Sequence, residues 1–117
     1  MNEESKRATL LRDVSKQNRA RGSQILYKVD PPMVDDHYDG SRTEYDHVIV
    51  SATDVMFSGP ETYIFPANPD GTIASWGELD GSFRGALDHE QALTNAGYSI
   101  TEVLVIAESA TRKAVGA

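Results

Sequence analysis

Three histidines stand beside acids in this chain: Asp36-His37, Asp46-His47 and Asp88-His89-Glu90. Imidazole beside carboxylate is the material of zinc ligation and of general acid–base catalysis. Either use requires the groups to converge. No HxH, HxxxH or HExxH spacing sets two of them on one strand or helix face, and each histidine falls in a different expected element. Each is therefore expected to be solvated or paired with its neighbouring acid. Asp35 to Asp46 has a partial calcium-loop pattern, but His37 replaces an oxygen ligand, Arg42 takes a normally apolar position, and Pro31 and Pro32 forbid an entering helix. Asn68 to Ile73 copies a shorter fragment of that pattern and is expected to be a plain turn. The serines lack a G-x-S-x-G elbow. Gly77, Gly81 and Gly85 form neither phosphate-binding glycine motif and are flanked by acids. The chain has no cysteine, which excludes thiol catalysis, disulfides and cysteine-bound metal. The expectation is a non-enzyme, with no catalytic residue, no metal and no cofactor.

Residues suited to contact are easier to find. Trp76, Phe83 and Arg84 lie in and around the glycine-rich stretch Gly77 to Gly85, and are the candidate partner-binding residues. Arg12, Lys16 and Arg19 fall at i, i+4 and i+7, one face of an expected helix, and are the candidates for phosphate or an acidic partner. Charge is uneven. Residues 1–28 carry seven basic groups against three acids, and the other 89 residues carry four against fifteen, giving a net charge of −7 overall. An acidic body repels nucleic acid over most of its surface, so only the basic leader could bind it. The same leader could dock on its own body or on a neighbouring copy.

The elements that must position these residues follow from periodicity. With 117 residues, 39% of them hydrophobic, the chain suits one domain with a real core. No apolar run has the ~18 residues of a membrane helix, and no membrane partner is expected. Residues 5–20 lack Gly and Pro and predict a basic helix or arm, stopped by Gly22. Strands are predicted at 24–29, ended by Pro31-Pro32, and at 45–57, 62–67, 72–76 and 98–107. A loop is predicted at 30–44 and a helix at 86–96, where Leu87, Ala92 and Leu93 make an apolar stripe and Gly97 ends it. The expected fold is α+β: a mainly antiparallel sheet of four to five strands, one packed helix and the basic leader. Residues 1–22 would form that leader, 23–107 the domain and 108–117 a frayed tail.

Three stretches, GPETYIFPA, DG-x-I-x-x-W-x-EL-x-GS-[FY] and DHE-x-AL-x-x-AGY, carry a resemblance to small proteins encoded by actinobacterial viruses, mycobacteriophages especially, over about residues 46–100. The resemblance implies a phage accessory protein in the cytoplasm of the host bacterium, or a virion component, and transfers no catalytic residue. The expected function is protein–protein interaction, perturbing a host factor. Nucleic-acid binding through the leader and self-assembly into a structural protein are the alternatives.

Overall fold

A computed structural model describes residues 6–101. The elements are β1 (Arg7–Asp13), β2 (Ser23–Asp36), β3 (Arg42–Val55), β4 (Gly59–Pro66), β5 (Phe83–Arg84), α1 (His89–Asn95) and β6 (Ser99–Thr101). They build one six-stranded sheet in the order β5-β4-β3-β2-β1-β6. Neighbours are antiparallel except β1 and β6, which run parallel.

The apolar alternation of β2 to β4 determines which side is buried. Ile25, Tyr27 and Val29 align with Val48, Val50 and Ile64 on one face, where Leu79, Ala92, Leu93 and Tyr98 close over them as the main core. Helix α1 is only seven residues long, too short to persist alone, so it depends on this packing. Asp88 caps its first turn by accepting the Gln91 N–H. Burying Leu93 completely contributes about 1.5–3 kcal/mol. On the opposite face Leu26 and Ile49 are covered by Val14, Ala67 and Ile73. Beyond them that face is open.

Several expectations are corrected. The N-terminal helix is a strand. Arg7–Asp13 bonds β2 along one edge and β6 along part of the other, with Ala8 fully buried. Two hydrogen-bonded ladders outweigh helix propensities worth tenths of a kilocalorie per residue. Among the described residues the sheet has six strands instead of four or five. The strand predicted at 72–76 reduces to one bridge between Ala67 and Ile73. Pro31 and Pro32 do not end β2: the register with β3 slips between Lys28 and Met33, and the prolines sit in that irregularity, where no ladder N–H is demanded of them. Most of the predicted loop 30–44 is therefore strand, reduced to a tight hairpin tip around Tyr38–Gly40. The helix predicted at 86–96 starts later, at His89. Residues 1–5, the later part of the strand predicted at 98–107 and the tail expected at 108–117 lie outside the described residues.

Candidate functional site

The open part of the second face is a groove of about 370 Å³. Strand pairing makes its floor: Ser51 lies opposite Tyr63, and Thr53 opposite Glu61, so their side chains share one side of β3 and β4. Val55 extends the floor toward the hairpin tip. Tyr63 meets Phe65 edge-on, ring centres 6.0 Å apart, and Phe65 meets Trp76 at 5.2 Å. Such contacts contribute about 0.5–1.5 kcal/mol each beyond burial. Phe65 is largely buried beneath this chain of rings, whereas Trp76 remains 71% exposed. An indole so exposed, resting edge-on against Phe65, offers apolar area to a partner.

The wall opposite the aromatics is the turn after β1, with Asn18, Arg19, Ala20 and Arg21. Local hydrogen bonds hold this turn. Asn18 donates from its backbone to Val14 O, and its side chain donates to Gln24 Oε1 and Gly71 O. Arg12 Nη2 and Gln17 Nε2 both donate to Asp70 O, at 2.8 and 2.9 Å. Glu61 is nearly buried in the floor and is balanced by Arg84, 3.6 Å away. Arg84 Nε also donates to the Tyr63 hydroxyl. The hydrogen bond between Tyr63 and Glu61 raises the phenol pKa above its ordinary value, with burial second.

The sequence candidates are divided by this geometry. Trp76 rims the groove and Arg84 braces its floor, but Phe83 turns the other way, against the main core. Arg12, Lys16 and Arg19 do not form a helical face. Arg12 is in β1 with its guanidinium engaged by Asp70 and Gln17, while Lys16 and Arg19 are in the following turn. Arg19 lines the groove. Sequence reasoning missed Tyr63, Phe65 and Arg21 as site residues. The alternation of Glu61, Tyr63 and Phe65 was the available signal, but which face lacks a cover depends on packing.

The histidines stay apart. His37 bonds the Thr43 hydroxyl, His47 bonds Asp46, and His89 reaches Ser23 O. Among the described residues no group of three His, Asp or Glu side chains is placed to hold a metal, and no helix is long and apolar enough to cross a membrane. The segment with the partial calcium-loop pattern is the β2–β3 hairpin, with Arg42 paired to Asp36 at 2.9 Å. Compared with protein-family models, curated proteins and solved structures, the chain finds no match.

Proposed function

We propose that the protein is a non-enzymatic binding protein that holds a protein partner on the open face of its sheet. The observation that carries this reading is Trp76, 71% exposed and braced edge-on by Phe65 at the rim of an uncovered groove. Rigid, exposed tryptophan beside arginine is the residue chemistry of interface anchors. A groove of a few hundred Å³ suits a short segment of chain, with the surrounding sheet face supplying the rest of a contact. The resemblance to actinobacteriophage proteins supports an accessory role inside an infected host cell.

A photo-crosslinking side chain at Thr53, on the groove floor, tests the reading against the same group at Thr94, on the exposed side of α1. In host extract the expected result is a discrete adduct from Thr53 that disappears in Trp76→Ala. Adducts of equal yield from Thr94, or none from Thr53, would remove the groove from consideration.

A further inference from the structure

The groove carries a chemical preference. We propose, resting on the reading above, that its occupant is an acidic, extended peptide segment of the partner. An apolar side chain of that segment lies against Tyr63 and Trp76, and its carboxylates meet Arg19 and Arg21. The charges around the groove support this. Arg12 is hydrogen-bonded to Asp70 O and Gln17, and Arg84 to Tyr63 beside Glu61. Arg19 and Arg21, in contrast, make no side-chain hydrogen bond or ion pair within the described residues, although the chain carries 18 acids against 11 bases. Two unengaged guanidinium groups therefore line one wall of an aromatic groove in an acidic protein. Guanidinium prefers carboxylate through paired N–H donors. The one acid in the floor, Glu61, is already balanced by Arg84 and so does not cancel the wall.

Other occupants fit less well. Single-stranded nucleic acid needs several free ring faces for stacking, whereas Phe65 is 8% exposed and largely covered. A second copy of the chain would bring another seven net negative charges to an already acidic surface. A short acidic segment meets the arginines with far less of that repulsion.

Trp76 is the single tryptophan, so its fluorescence reports directly on the groove. The full chain would be titrated with a blocked Glu-Phe-Glu-Leu-Glu peptide, its Lys-Phe-Lys-Leu-Lys counterpart and oligothymidylate. The expected result is a saturable change in Trp76 emission with the acidic peptide alone. Its affinity should fall roughly tenfold or more in Arg19→Glu/Arg21→Glu. Arg19 sits at φ 53°, so Arg21→Glu alone serves as the variant that leaves that left-handed position untouched, and it should lose part of the affinity. Equal response to the basic peptide, or unchanged affinity in the charge reversals, would overturn the assignment. A response to oligothymidylate in place of peptide, or a concentration-dependent shift of the protein alone, would replace the occupant with nucleic acid or a second copy. If Thr53 still crosslinks while the acidic peptide leaves Trp76 unmoved, the groove stands and the assigned chemistry falls. If both fail, so does the binding reading.

Discussion

Phe57 lies at the tip of the β3–β4 hairpin with φ 72°, and its side chain is entirely exposed. A bulky residue in left-handed backbone costs about 1–2 kcal/mol, and here no packing offsets it. Phe57→Asn, which tolerates that region, is expected to raise stability by about 0.5–1 kcal/mol in chemical denaturation. No gain, or a loss, would mean that the exposed ring makes a contact absent from the fold described. Gly71 is the opposite case. It combines φ +93° with a tight site in which a Cβ would sit 2.8 Å from Arg12 Nη2 and 3.0 Å from Val14 Cγ1. Gly71→Ala should therefore cost about 1–3 kcal/mol and loosen the turn that bears Arg19 and Arg21. A denaturation midpoint matching wild type would refute this account of the turn.

At the scale of elements, α1 is held by its cap and by two buried residues. Asp88→Ala removes the acceptor for Gln91 N–H and should cost about 0.5–2 kcal/mol, read from the urea midpoint. Leu93→Ala opens the main core and should cost about 2–5 kcal/mol. If the cap variant proved the more damaging, the helix would owe its stability to local bonds and not to docking. The same balance explains what could be read from the sequence. Helix α1 was legible from the stripe of Leu87, Ala92 and Leu93 and the stop at Gly97, although its start was expected at residue 86, ahead of the Asp88 cap, and β3 and β4 were legible because their apolar runs alternate. Strand β1 was not legible: Arg7 to Asp13 contains good helix formers, and what makes it a strand is pairing with β2 on one edge and, from Arg7 to Thr9, with Ser99–Thr101 some ninety residues away on the other. Pro31 and Pro32 misled for a related reason, because a register slip has no signature in one strand alone. At the site, Trp76 and Arg84 were legible as residue types. Their union with Tyr63, Phe65, Arg19 and Arg21 required knowledge of which sheet face goes uncovered.

For the whole molecule, acidity and stability are linked through the turns. Asp13, Asp39 and Asp70 have pKa values lowered below 3.8, chiefly by hydroxyl and then backbone hydrogen bonds from Ser15, Ser41 and Thr72. A hydrogen bond from the His47 imidazole lowers that of Asp46. A carboxyl whose pKa is lower in the folded state stabilises the fold above its unfolded pKa, and the benefit is lost as pH falls through the folded value. Melting temperature is therefore expected to hold from pH 7 to about pH 5 and to decline below about pH 4, modestly, because these groups are exposed. Asp70→Asn should lower the melting temperature at neutral pH and flatten the acid limb. An identical acid limb in that variant would exclude Asp70 as a contributor.

The parallel seam between Arg7–Thr9 and Ser99–Thr101 also bears on synthesis. While a ribosome is still making the intervening residues, that stretch of β1 has unpaired N–H and C=O groups along its outer edge, a template for pairing with another nascent chain. Slow elongation before residue 101 should thus raise the yield of insoluble product, and faster elongation through the segment should lower it.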